Sequence, residues 1–279
     1  MVKIGNYNTL PVVKSVDFGV YLDGGDGLEI LLPSRFIDRI PQVGELIDVF
    51  IYTDSEDRII ATTEHPYAQV GEFAFLEAVS VDRIGAFLDW GLMKDLLVPF
   101  REQKVRMRAG KSYPVYLYLD DASKRVVASA KVEKFMGNVI PTYKIGDKVR
   151  IMVYRQTPIG YACVVDNLHQ GMVYANEVFR PVELGECIEA YVKYVREDGK
   201  IDVTLSPGAK QRTDDLSDRI LEAMQANGGF IKLNDKSSPE EIKIAFACSK
   251  KDFKKAVGHL LKERKIKIED SGLLIFNDK

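Results

Sequence analysis

A mainly β chain, three small five-stranded barrels followed by a C-terminal α+β unit, is the architecture this sequence predicts, and two observations carry the prediction. The first is a repeated glycine spacing. Gly5, Gly19 and Gly44 step by 14 and then 25 residues, and so do Gly71, Gly85 and Gly110, and again Gly146, Gly160 and Gly185. Three triplets at equal offsets mark three copies of one structural unit. The words around the middle glycine repeat as well: Asp17-Phe18-Gly19-Val20-Tyr21-Leu22, Arg83-Ile84-Gly85-Ala86-Phe87-Leu88 and, more loosely, Pro158-Ile159-Gly160-Tyr161-Ala162-Cys163. The second observation is a change of period. From Thr213 onward apolar residues recur at helical spacing instead of alternating.

Each copy reads as five strands. The first glycine opens a β-rich run (Leu10–Val13, Phe73–Val79, Lys148–Tyr154), and the glycine-bearing segment quoted above is the second strand. A third run follows a polar turn: Leu28–Pro33, Leu96–Pro99 and Gly171–Tyr174. The third glycine introduces an alternating strand (Glu45–Tyr52, Ser112–Tyr118, Cys187–Lys193), and Arg58–Ala61, Arg125–Ala128 and Lys200–Ser206 close the copies. Five short strands in about 65 residues leave no room for a long helix and suggest a closed barrel of the OB type. His65-Pro66 leaves hardly any slack between the first two units, so a packed tandem is expected; residues 134–143 form a longer junction before the third.

In the tail, Leu216, Ile220 and Met224 mark a helix that Asn227-Gly228-Gly229 stops. Ser238-Pro239-Glu240-Glu241 reads as a capped helix start running to about Ala247. Ser249 and Asp252 cap a third helix whose apolar face is Phe253, Ala256, Val257, Leu260 and Leu261. Lys265–Ile268 and Leu273–Phe276 then form a hairpin, and three helices with a terminal hairpin look like a winged helix.

Charge and composition narrow the functional classes. The net charge is only −2, which argues against a uniformly basic nucleic-acid binder, but it is unevenly spread. Residues 1–62 carry 5 Lys and Arg against 10 Asp and Glu, whereas residues 210–279 carry 15 against 12. Such polarity suits a binding face at one end and a solvated or protein-facing surface at the other. No apolar run approaches the roughly 20 residues of a membrane span. Met1-Val2-Lys3-Ile4-Gly5 already belongs to the first repeat, leaving no room for a signal peptide. Cys163, Cys187 and Cys248 have no CxxC spacing and read as reduced thiols of a cytoplasmic protein.

The order Gly…Phe-Gly-Val-Tyr-Leu…Gly-Glu…Asp-x-x-x-Arg and the ending Lys200-Ile201-Asp202-Val203-Thr204-Leu205-Ser206 resemble the S1 RNA-binding domain. Three S1-like units at 1–64, 67–133 and 144–207, with a winged-helix unit at 210–279, resemble the conserved virulence factor B family of bacterial RNA-binding proteins. The resemblance implies an RNA face of Phe18, Tyr21, Asp54 and Arg58 in the first unit; Ile84, Phe87, Asp121 and Arg125 in the second; and Ile159, Ala162, Tyr174, Arg196 and Lys200 in the third. Two departures stand out. Pro33 and Pro99 occupy the place where many S1 domains have histidine, and Ala162 replaces the strand aromatic, so Tyr174 is the third unit's stacking candidate.

Independently of the family, strand alternation turns Tyr21 outward if Val20 and Leu22 fill the barrel, and Phe87 likewise. An outward ring beside a cation is a platform for a base, worth roughly 1–3 kcal/mol per stacked base; the competing reading is that these rings pack against a neighbouring module. Arg101, Lys104, Arg106, Arg108 and Lys111 form a basic loop, either solvated or phosphate-binding. On the third tail helix Lys251, Lys255 and Lys262 share a stripe, with Lys250 and Lys254 beside it and Lys265 and Lys267 on the hairpin. Lysine without interleaved Arg, Asn or Gln favours phosphate over base contact. His65, His169 and His259 lack metal-ligand spacing, and no nucleophile or nucleotide-loop motif is present, so neither cofactor nor catalysis is indicated. The expectation is a cytoplasmic, non-enzymatic protein that binds single-stranded RNA with little base preference and regulates gene expression after transcription. Its alternatives are a DNA-binding winged-helix regulator and a protein-interaction scaffold on a ribosome or nuclease; the first unit's acidity makes it the poorest RNA candidate and suits it to a structural or protein-binding role.

Overall fold

The computed structural model describes residues 2–178, 181–207 and 209–276, the last stretch with side chains from Thr213 on. The first barrel comprises β1 (Tyr7–Val16), β2 (Gly19–Asp23), β3 (Glu29–Pro33), β4 (Leu46–Thr53) and β5 (Ile59–Thr62). The second comprises β6 (Phe73–Val81), β7 (Gly85–Leu88), β8 (Leu96–Pro99), β9 (Lys111–Leu119) and β10 (Val126–Ser129). The third comprises β11 (Lys148–Thr157), β12 (Gly160–Val165), β13 (His169–Tyr174), β14 (Cys187–Val195) and β15 (Ile201–Thr204). All three close in one order, first-second-third-fifth-fourth strand, with the third and fifth strands parallel. That is the OB arrangement the glycine spacing predicts.

The glycines recur because the barrel needs them. A Cβ on Gly19, Gly85 or Gly160 would lie 2.3, 2.3 or 2.1 Å from the carbonyl oxygen of Leu32, Val98 or Val173 on the neighbouring strand, so no side chain fits. The third glycine of each set serves the first strand. Gly44, Gly110 and Gly185 donate their N–H to the carbonyls of Val12, Ala78 and Val153. In every barrel the register of the first strand slips just after that residue, at the bulges Val12/Lys14, Ala78/Ser80 and Val153/Arg155. The bulge bends the strand so that one half pairs with the second strand and the other half with the fourth.

Inside the first barrel lie Val12, Val20, Leu22, Ile30, Leu32, Val49, Ile51 and Ala61. The third is filled by the corresponding Val153, Cys163, Val173, Ala190 and Val192, among others. Outward positions then join the barrels. Phe50, Tyr52 and Ile60 of the first bury against Ala68, Trp90 and Leu92 of the second, with Trp90 edge-on to Phe50 at 5.7 Å. Phe73, Val132 and Met136 of the second bury against Met152, Tyr154, Ala162 and Val164 of the third. The Asn167 side chain bridges that seam, accepting from the Phe73 N–H (2.8 Å) and donating to the Gly71 carbonyl (3.2 Å). Each large side chain buried at these seams contributes about 1.5–3 kcal/mol, so the barrels are held as a packed row.

The tail folds as α1 (Ala209–Ala226), β16 (Phe230–Ile231), α2 (Pro239–Phe246), α3 (Lys250–Lys262), β17 (Ile266–Glu269) and β18 (Gly272–Ile275). Leu216, Ile220 and Met224 of α1 meet Ile242, Phe246, Phe253, Val257 and Leu260 in one core. The capping box at Ser238 and Glu241 and the Ser249 cap are formed as the sequence predicts. Two features differ from it. Helix α1 starts four residues before Thr213, and the two-residue β16 adds a third strand beside β18, too short to leave a periodic signal.

Candidate nucleic-acid interface

On an OB barrel the open binding face is made by the second and third strands with the loops after the first and the fourth. In the first barrel that face is uncovered. Phe18, in the loop after β1, is 56% exposed, and its ring meets the half-buried Tyr21 edge-on at 6.4 Å. Lys14 sits 4.5 Å over the Tyr21 ring while pairing with Glu29. At the far rim Arg58 is held by Asp54 (2.7 Å) and Glu56 (2.8 Å). Burial pushes the Asp54 carboxyl up, but hydrogen bonds from the Arg58 side chain and backbone outweigh it and hold the acid below its ordinary range. Both partners therefore stay charged at neutral pH. A cleft of about 540 Å³ opens between Phe18, Arg35, Asp54 and Arg58.

The second barrel presents Ile84, 56% exposed, and a half-buried Phe87. Both line a second, smaller hollow with Arg125. Asp121 and Arg125, both on the implied RNA face, do not pair with each other. Asp121 points to solvent, 3.9 Å from Lys124, and Arg125 instead donates to Asp57 of the first barrel, because the packed tandem brings that turn within reach. In the basic loop, Lys104 pairs with Glu133 (2.7 Å), Arg101 approaches Asp120 (3.5 Å) and Arg106 lies 3.9 Å over the Phe100 ring.

The third barrel is built differently. Ile159 is exposed, but Ala162 is fully buried against the second barrel. The face that holds Tyr21 and Phe87 open in its siblings is here a docking surface. Tyr174 is half-buried, its hydroxyl accepting from Arg196 (2.7 Å), and Arg196 is in turn held by Asp202 at 2.6 Å. Lys200 pairs with Asp198 (2.6 Å). These three candidates are brought near one another on the third barrel.

On α3, Lys251, Lys254, Lys255 and Lys262 are exposed, and among the described residues none has an ion-pair partner. Four unpaired cations on one helix face form a patch that attracts polyanions. On the hairpin, Lys265 pairs with Glu263 (2.8 Å) and Lys267 stands 4.2 Å over the Phe276 ring. Among the described residues no group of three or more His, Cys, Asp or Glu side chains could hold a metal ion, and no helix is long and apolar enough to cross a membrane. Sequence reasoning missed Arg35, Met93 and Lys94. Their place at the seam depends on how two barrels meet, which no local pattern records.

Three OB barrels in a packed row, ended by a winged helix, define a multidomain protein of nucleic-acid-binding modules. Residues 4–64 match the S1 domain, and residues 218–274 match the CvfB-like winged helix domain. The chain is similar to the conserved virulence factor B proteins along nearly its whole length. It is 28% identical over 275 residues to the Conserved virulence factor B of Staphylococcus epidermidis, covering 95% of this chain and 92% of that one. It is also 28% identical over 271 residues to the uncharacterized protein YitL of Bacillus subtilis, covering 94% and 90%. Among solved structures, a multidomain protein with nucleic acid binding domains from Streptococcus pneumoniae is similar over 98% of both chains, at 24% identity and a TM-score of 0.42.

Proposed function

We propose that this chain binds single-stranded RNA with little base preference and acts in the regulation of gene expression after transcription, in the cytoplasm and without catalysis. The observation that carries the reading is the uncovered face of the first two barrels, where Phe18 shares a cleft with Arg35 and Arg58, Tyr21 packs beside Phe18 and Lys14, and Phe87 shares a hollow with Arg125. Rings of this kind stack on bases of any identity, and cations beside them neutralise phosphates. The α3 lysines supply a second phosphate-binding patch, and the chain is read as four units at 1–64, 67–133, 144–207 and 210–279. Tyr174, Arg196 and Lys200 belong to a third, weaker contact.

The test is binding of an oligouridylate by the full chain across a salt series, with duplex DNA as competitor. The logarithm of affinity should fall with the logarithm of salt by about 0.7 for each phosphate neutralised. Replacing Lys251, Lys255 and Lys262 together by alanine should weaken binding and flatten that slope. Preference for duplex DNA over the oligouridylate, or a salt-independent affinity, would sink the reading.

A further inference from the structure

The cleft on the first barrel is not the work of that barrel alone. Its wall is completed by Met93 and Lys94, which sit on the loop joining β7 to β8 of the second barrel. The hollow beside Phe87 and Arg125 shares Tyr52 and Lys94 with the cleft, so the two depressions adjoin at the seam. A cleft lined from two domains, with a second hollow next to it, suits a linear polymer better than a compact metabolite.

The seam is fixed by the same residues. Lys94 Nζ donates to the carbonyls of Thr53 (2.9 Å) and Asp54 (2.6 Å), and Asp54 is the acid that holds Arg58. The loop of the second barrel is thus tied to the turn that carries the first barrel's rim. Burial and the nearby Arg125 cation lower the Lys94 pKa, as expected for an ammonium drawn out of water at a junction.

Charge and chemistry identify the occupant. Residues 1–62 hold 10 acids against 5 bases, yet the cleft gathers Arg35, Arg58 and Lys94 against Asp54 and Glu56, one positive charge in excess. Arg35 is exposed, lies 4.7 Å over the Phe36 ring, and has no ion-pair partner among the described residues. Its guanidinium is free for an oxyanion. Met93 is 63% exposed on the cleft wall, and a polarizable thioether there can adapt to a flat base.

Building on the proposed RNA binding, we infer that the seam between the first two barrels is a composite single-strand site. Arg35 holds a phosphate and Met93 flanks a base beside Phe18, so that neither barrel completes the site without the other. The experiment uses the full chain and a fluorescent oligouridylate of about 12 nucleotides, within the range an OB fold or two accommodates. Arg35→Ala should weaken binding about tenfold and lower the salt slope by about 0.7, and Arg35→Lys should restore the slope. Met93→Ala should weaken binding about fivefold with the slope unchanged. Arg39→Ala is the control, since Arg39 pairs with Glu45 outside the cleft. Thermal midpoints should stay at the wild-type value, because both Arg35 and Met93 are exposed.

If Arg35→Ala and Met93→Ala bind like wild type while the α3 lysine variant is impaired, the seam is not a site although the chain binds RNA. If Arg39→Ala matches Arg35→Ala, the effect is the general field of the barrel and the inference is overturned. If the wild-type chain shows no salt-sensitive binding, both the seam and the broader reading fall.

Discussion

Tyr21, Phe87 and Ala162 occupy one position in three copies of one fold, yet they have different fates. The first two stand half-buried on the surfaces of the first and second barrels, Tyr21 against Phe18 and Phe87 in a hollow, and the third is sealed between the second and third barrels. The loss of an aromatic at Ala162 is therefore not decay of a binding face but its conversion into a joint. A large ring would not fit between Phe73, Met136 and Tyr154. The teaching is general for tandem repeats: a side chain that looks missing in one copy marks where that copy meets its neighbour.

That comparison can be broken or sharpened in several ways. The largest effect is expected at the other joint. Trp90→Ala removes a ring packed on Phe50 and Tyr52 and should destabilise the chain by about 3–5 kcal/mol, seen in denaturant unfolding. Ala162→Tyr restores the ring its siblings carry and should lose about 1–3 kcal/mol by overpacking the second seam; unchanged stability would mean the seam opens readily. Phe87→Ala should do the reverse, weakening oligouridylate binding by about 1–3 kcal/mol with a smaller change in unfolding midpoint.

Smaller effects follow outside the open faces. Ala247 ends α2 with φ +50, so Ala247→Gly should add roughly 0.5–1 kcal/mol in thermal unfolding by relieving a left-handed residue that carries a Cβ. The smallest effect is one of pH. His169 is buried with no partner for its Nδ1 among the described residues, and burial lowers its pKa although Asp166 pulls the other way. Below about pH 6.5 the unfolded chain takes up a proton that the folded chain resists, so stability should fall as pH drops through that range and hold above it. His169→Gln should flatten that limb of the stability–pH curve.

Much of the fold was legible because the barrel's demands are local. Gly19, Gly85 and Gly160 each face a neighbouring carbonyl, so any copy of the barrel must repeat them at the same offsets. The caps at Ser238 and Ser249 are likewise satisfied within one turn of chain. What stayed hidden depends on distant partners. Arg125 finds Asp57, 68 residues away, and Lys94 finds the carbonyls of Thr53 and Asp54, about which sequence spacing says nothing. The outward aromatics show the same limit. Alternation turns both Tyr21 and Phe50 toward a surface, but only the packing of the second barrel decides that Phe50 becomes core and Tyr21 stays half-buried at the surface.

The joint at Phe50, Tyr52 and Ile60 also has a bearing on how the protein is made. Translation delivers the chain from its amino end at about 5–20 residues per second, so the first barrel emerges seconds before Trp90 and Leu92 exist to cover it. During that interval a nascent chain displays two aromatic rings and an isoleucine to the cytosol, a sticky spot for chaperones or for another copy on the same polysome. The turn at Asp54 waits equally long for its lysine. Ribosomes that stall between the first two barrels should therefore yield the most aggregation-prone fragments of this protein.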